Sequence, residues 1–292
     1  MTFNLSIISD RINPGFKSTR AILDANDMPG LQKLAKEQVA LGAMALDFTI
    51  GPRAKEDPKF LAEAIRAVQD AVTVPLCFDY PDASILGPCL EAYDEKKANG
   101  AMPIINSLAE TRWEIMELQK IRPFRVMLMA SERLEAGAAR PNTSSEEIYQ
   151  TARRCALRLK AEHGVAMSDV IVDVSISALA SDMAGLNRAA LEAIGKIGSD
   201  PALRGIHISG GITNIGQQLP PKAADGSMLK RQLQCAFLTL AVPLGMDTVL
   251  ATPSADLKPL PEDNYVFQIF KEVLPLSGTN VLRAVRKLYR KQ

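Results

Sequence analysis

Short, unbroken apolar runs punctuate this chain at residues 5–8, 43–48, 72–78, 101–105, 124–129, 170–174, 205–208 and 248–251. A half-exposed strand would alternate apolar and polar side chains, so continuous runs of this length predict strands buried on both faces. Helical periodicity fills the intervals. Leu31, Leu34, Ala35, Gln38 and Val39 predict the first helix. Ile148, Ala152, Cys155 and Leu159 line one face of the fifth, at spacings of four, three and four. The start of that helix is also marked: Thr143, Ser144 or Ser145 can cap it, and Glu146 and Glu147 suit the positive end of its dipole. The interval 133–145 before it reads as an extended loop that covers a binding mouth or joins an interface.

Strands alternating with helices, with no repeated sequence unit, predict a parallel α/β fold. An open doubly wound sheet would carry a glycine-rich turn after its first strand, and Arg11-Ile12-Asn13-Pro14-Gly15-Phe16 is not one. Eight strand–helix units over 292 residues fit a TIM (β/α)8 barrel, forming a single domain over residues 1–292.

Polar residues punctuate the apolar runs. Asp10 and Asn13 follow the first, Asp47 and Thr49 end the second, and Asp79, Asn106 and Asp173 close three more. Ser209 to Asn214 follow the seventh run, and Asp247 sits in the eighth. Side chains at the carboxyl ends of barrel strands point into the mouth, so this pattern predicts a site lined by carboxylates and amides. Asp79, Asn106 and Asp173 form the most informative trio, because each polar head would be costly to bury without a partner. Two carboxylates accept from ring N–H and amino groups while a carboxamide both donates and accepts, which suits an aminopyrimidinone edge. The structural alternative is that these residues cap helices or bind backbone amides.

Composition narrows the field. Lys and Arg total 34 against 33 Asp and Glu, so charge gives no support for nucleic acid or acidic membranes as partners. Cys77, Cys89, Cys155 and Cys235 have no metal-ligand spacing and read as reduced, mostly buried thiols. With only two histidines and no carboxylate loop of calcium spacing, no metal site is expected. His207 inside the seventh run reads as a satisfied core histidine, and His163 as a residue ending a helix. No signal peptide or membrane span is expected, which predicts a cytoplasmic protein. Arg283, Arg286, Lys287, Arg290 and Lys291 oppose Val281, Leu282, Val285 and Leu288, as a solvated helix face would.

The stretches DRINPG, QVALGAMALDFTIGP, PLCFD, MPIINS, DVIVDVS and SGGITNIGQQLP, in this order, resemble the pterin-binding methyltransferases that exchange a methyl group between tetrahydrofolate and a corrinoid protein. The resemblance implies that Asp79, Asn106 and Asp173 hold the pterin, that Asn214 is the catalytic contact near N5, and that Gln217 is a second contact. It also implies tetrahydrofolate as substrate, a corrinoid arriving free or on a partner protein, no metal bound by the chain itself, and a homodimer. Asp10, Asn13, Asp47, Ser209 and Asp247 are further mouth candidates. The expected product is methyltetrahydrofolate, formed in a demethylation pathway; the reverse transfer, as in the acetyl-CoA pathway, is the alternative. Dihydropteroate synthase, a sibling on the same barrel, expects a cationic Ser-Arg-Lys where this chain has Ser209-Gly210-Gly211, because it must bind a diphosphate leaving group. A non-catalytic pterin-binding scaffold and a metal-dependent barrel hydrolase complete the alternatives.

Overall fold

The computed structural model describes residues 2–253 and 256–290. Eight strands run parallel: β1 (Ser6–Ile12), β2 (Ala45–Phe48), β3 (Leu76–Asp79), β4 (Ile104–Leu108), β5 (Arg125–Met129), β8 (Val170–Asp173), β9 (His207–Ser209) and β10 (Thr248–Ala251). Their order is β10-β1-β2-β3-β4-β5-β8-β9. The two ends meet across a seam in which Leu250 N–H donates to Gly210 O at 3.2 Å and Asp247 N–H to Ile208 O at 3.3 Å. The result is a nearly closed ring with helices outside, a TIM-like barrel. Every expected run overlaps a strand, because each strand is covered on one face by helices and on the other by the barrel interior.

The remaining strands form a hairpin, β6 (Glu132–Glu135) and β7 (Ala138–Pro141), where an extended loop was expected. Its two-residue connection, Ala136-Gly137, has φ of 51° and 79°, the left-handed pair that matches strand twist in a tight hairpin. Both strands lack an apolar alternation, which is why the pattern along the chain does not predict them. The hairpin is tied down by Leu134 N–H to Glu110 (2.8 Å) and by Arg133 to Asn142 and Glu147.

The expected first helix is Met28–Ala40, preceded by a short helix Lys17–Asp24. Gln38 on its buried face accepts from Ser9 Oγ at 3.1 Å. The helix Ser145–His163 buries Ile148, Ala152, Cys155 and Leu159 and starts with a capping box between Ser144 and Glu147. His163 ends it. All four cysteines are free and buried. At the carboxyl-terminal end Val281, Val285 and Leu288 are buried, but Leu282 is exposed, which corrects the expected apolar face; Lys291 lies outside the described residues.

The helix Leu186–Ser199 approaches the turn before β10 so closely that a Cβ on Gly198 would lie 2.4 Å from Leu244 O. Neither backbone can withdraw without unseating a helix from the barrel. Gly198→Ala is therefore expected to destabilise the protein by about 1–3 kcal/mol, as overpacking does. An unchanged urea midpoint would show that the turn yields.

Strand alternation sorts the barrel interior into layers. Ile8, Ala45, Cys77, Ile104, Met127 and Ile171, with Leu250, form an apolar cluster of their own inside the ring. Two residues further along the strands come Asp10, Asp47, Asp79, Asn106, Met129, Asp173 and Thr252. The apolar layer is the floor, and a polar layer lies on it toward the carboxyl ends.

Candidate functional site

The polar layer is knit together by its own side chains. Asn106 Nδ2 donates to Asp47 Oδ1 at 3.2 Å, a bond between residues far apart in the chain. This leaves the Asn106 carbonyl oxygen available to a ligand. Thr252 Oγ1 donates to Asp10 Oδ1 at 2.8 Å. Asp173 Oδ1 accepts from the Ser175 N–H at 2.7 Å, which turns the chain out of the barrel. Asp79 and Asn106 are register partners on β3 and β4, as are Asp173 and Ser209 on β8 and β9.

Four carboxyls thus share one mouth, and none forms a salt bridge with a cation among the described residues. Burial raises all four above the ordinary carboxylate range. Asp47, wholly buried, is pushed well above it by desolvation first and by the neighbouring Asp79 carboxylate second. Asp79 and Asp10 are raised by desolvation. Asp173 is pushed up to about 6 by desolvation, held back by the Ser175 amide and raised again by Asp79. A site of this kind lacks donors and positive charge. It favours a ligand that brings N–H groups to the carboxylates and so pays for their ionisation.

The segment after β9 forms a short 3₁₀ turn, Ile212–Gly216, that carries Asn214 at its centre. Ile212 and Ile215 are fully buried and seat the turn, while Gly216 lies tightly against Lys230 of the helix Leu229–Ala241. Gln217 follows the turn, exposed, and its Nε2 donates to Asn214 Oδ1 at 2.7 Å. Ser209 is fully buried, and its Oγ has no hydrogen-bond partner among the described residues.

The structure therefore brings Asp10, Asp47, Asp79, Asn106, Asp173 and Ser209 to one end of the barrel, where the turn after β9 carries Asn214. It does not bring Asp247. That residue precedes β10, five positions before Thr252, and a strand advances about 3.3 Å per residue. Asp247 thus lies at the opposite rim, where it accepts from Ile208 N–H (3.1 Å) and pairs with His207 Nδ1 (2.7 Å). Burial alone would raise its carboxyl, but these bonds hold it below the usual range. His207 is satisfied by that pair but its side chain is 33% exposed, so it is not a core residue. Asn13 lies in the loop after β1 with its Oδ1 bonded to Gly15 N–H at 2.8 Å, a turn-forming role. Thr252 was not anticipated; the inward position two residues beyond Leu250 was the signal that marks it.

No three His, Cys, Asp or Glu side chains converge to hold a metal among the described residues, and no described helix is long and apolar enough to cross a membrane. Residues 13–251 match the family profile described as pterin binding enzyme. The methylcorrinoid:tetrahydrofolate methyltransferase of Eubacterium limosum is 22% identical over 262 residues, covering 85% of each chain. Among solved structures, dihydropteroate synthase from Xanthomonas albilineans in complex with 7,8-dihydropteroate superposes with a TM-score of 0.56 at 14% identity, covering 92% of both chains. Dihydropteroate synthase from Thermus thermophilus gives 0.57 at 18% identity, covering 86% of this chain and 88% of that one.

Proposed function

The chain belongs to the pterin-binding enzyme family, and we propose that within it the protein is a methyltransferase moving a methyl group between a methylated corrinoid and N5 of tetrahydrofolate. One observation carries the reading. A carboxylate-rich layer that suits a pterin edge is joined to a turn bearing the carboxamides Asn214 and Gln217, with no cationic side chain from Ser209 to Gln218. An enzyme that expels diphosphate needs positive charge near the departing group, whereas methyl transfer to or from N5 does not. The similarity to a methylcorrinoid:tetrahydrofolate methyltransferase supports the same choice.

In this reading Asp79 and Asp173 accept from the ring N–H and amino groups of the pterin, and Asn106, held by Asp47, supplies a further contact. The N5 lone pair attacks the methyl carbon of the corrinoid, the cobalt–carbon bonding pair stays on cobalt as Co(I), and N5 becomes cationic. The N5 proton then leaves to solvent, giving methyltetrahydrofolate. Asn214 contacts N5–H through its carboxamide, and this bond strengthens as charge develops, so it stabilises the transition state more than the ground state. The barrel contributes position and access. The corrinoid is a second substrate, delivered by a partner protein or free, and a homodimer is the expected assembly.

The test is anaerobic incubation of the purified protein with methylcobalamin and tetrahydrofolate. The methylcobalamin spectrum is expected to give way to that of the Co(I) corrinoid. Tight tetrahydrofolate binding with an unchanged spectrum, for free methylcobalamin and for a methylated corrinoid protein alike, would overturn methyl transfer and favour a pterin-binding scaffold.

A further inference from the structure

The Asn214 carboxamide has one side-chain partner among the described residues, Gln217, which was expected to touch the pterin instead. In a 3₁₀ turn, side chains three residues apart eclipse one another. Asn214 and Gln217 have this spacing, with Gln217 N–H donating to Asn214 O at 3.0 Å along the backbone and the two carboxamides bonded at 2.7 Å. On the other side of the Asn214 amide lies Gly211, where a Cβ would come within 3.0 Å of Nδ2. The turn itself is fixed by Ile212, Ile215 and the contact of Gly216 with Lys230, so its backbone needs no help from Gln217. What Gln217 adds is restraint of the Asn214 side chain.

We propose that Gln217 is a positioning residue that holds the Asn214 carboxamide in register with N5, acting through Asn214 and making no pterin contact of its own. The inference rests on the methyltransferase reading. A free asparagine side chain samples several χ1 and χ2 orientations and presents its oxygen and nitrogen nearly interchangeably. A bond from Gln217 Nε2 to Oδ1 removes most of this freedom and couples the two carboxamides. Gln217 is itself an amide, so the pair can also reverse together, and Asn214 can meet N5 as acceptor or donor without losing its anchor. A carboxylate or an ammonium at position 217 would permit only one of these.

A kinetic cycle separates a residue that acts through Asn214 from one that binds substrate. Turnover with methylcobalamin and calorimetric affinity for tetrahydrofolate are measured for the wild type, Gln217→Ala, Gln217→Met, Asn214→Ala and the double variant Asn214→Ala/Gln217→Ala. Gln217→Met keeps the side chain's bulk without its hydrogen bonds. Both Gln217 variants are expected to lower kcat by about 5–20-fold with affinity within about twofold of wild type, and the double variant to match Asn214→Ala alone, as residues acting as a unit do. Losses that multiply in the double variant, or a Gln217 effect confined to affinity, would overturn the positioning role while leaving the methyltransferase reading intact. A wild type that binds tetrahydrofolate yet transfers no methyl group would overturn both.

Discussion

Asp173→Asn is expected to weaken tetrahydrofolate binding by about 10–100-fold while making the free protein more stable, because the two effects draw on opposite properties of one carboxylate. A hydrogen bond to a charged acceptor contributes about 1.5–3 kcal/mol, and asparagine replaces a charged acceptor by a neutral oxygen and a donor that faces the ligand's own N–H groups. In the free chain the carboxyl is raised from 3.8 to about 6, so the fold favours its protonated form. The stabilisation from protonating it is fully present below pH 4 and is lost as pH rises through about 6. Asparagine mimics the neutral carboxyl at every pH and still accepts from the Ser175 amide. At pH 7.5 the variant should therefore gain about 1–3 kcal/mol, the lower part of that range applying because Asp173 is not wholly shielded from water.

Binding in the wild type depends on pH in the opposite direction. Tetrahydrofolate affinity should fall between pH 7.5 and 5.5 as Asp173 takes up a proton and loses acceptor capacity, and Asp173→Asn should flatten that dependence. Thermal melts of the free protein and calorimetry with tetrahydrofolate at three pH values check all parts. A variant that is less stable and binds normally would show that Asp173 is a turn-forming residue and nothing more. A gain in stability with a loss of binding is the usual mark of a functional residue kept at the expense of the fold.

Much of this architecture is legible along the chain for a physical reason. Strands covered on both faces must be continuously apolar, so a polar residue closing such a run stands out. Asp79, Asn106 and Asp173 each end a strand in this way, or lie just inside its end. Asp247 shows where the rule fails. It touches the apolar run 248–251 at its amino side, and a polar residue beside a short run does not reveal which rim it occupies until strand direction and register are known. The link from Asn106 to Asp47 is likewise invisible in the chain, because it depends on the stagger that brings β2 and β4 to one level. The hairpin β6–β7 escaped notice because its strands bury little and its turn uses Ala136-Gly137 rather than an Asn-Gly or Asp-Gly pair.

Asn214→Ala should show the largest loss of turnover, about 100-fold in kcat, with tetrahydrofolate affinity nearly unchanged. Asp79, Asn106 and Asp173 belong to the layer on the barrel floor, and under the proposed function their contacts with a pterin would be the same before and during methyl transfer. Such uniform contacts set affinity and leave the barrier unchanged. Asn214 differs because it lies beyond the layer, on the turn after β9, and its carboxamide has only Gln217 as a side-chain partner among the described residues. Under the proposed function its bond to N5 would be weak while N5 is neutral and would strengthen as N5 becomes cationic, so removing it should raise the barrier and hardly alter the ground state. Asn214→Asp probes the same point with the opposite charge balance: a carboxylate accepts more strongly from a cationic N5–H, so it should retain more activity than alanine. Stopped-flow decay of methylcobalamin, compared with calorimetric affinity for tetrahydrofolate, distinguishes the cases. Parallel losses in rate and affinity in Asn214→Ala would place Asn214 among the pterin-binding residues and leave the acceleration of methyl transfer to positioning of the two substrates.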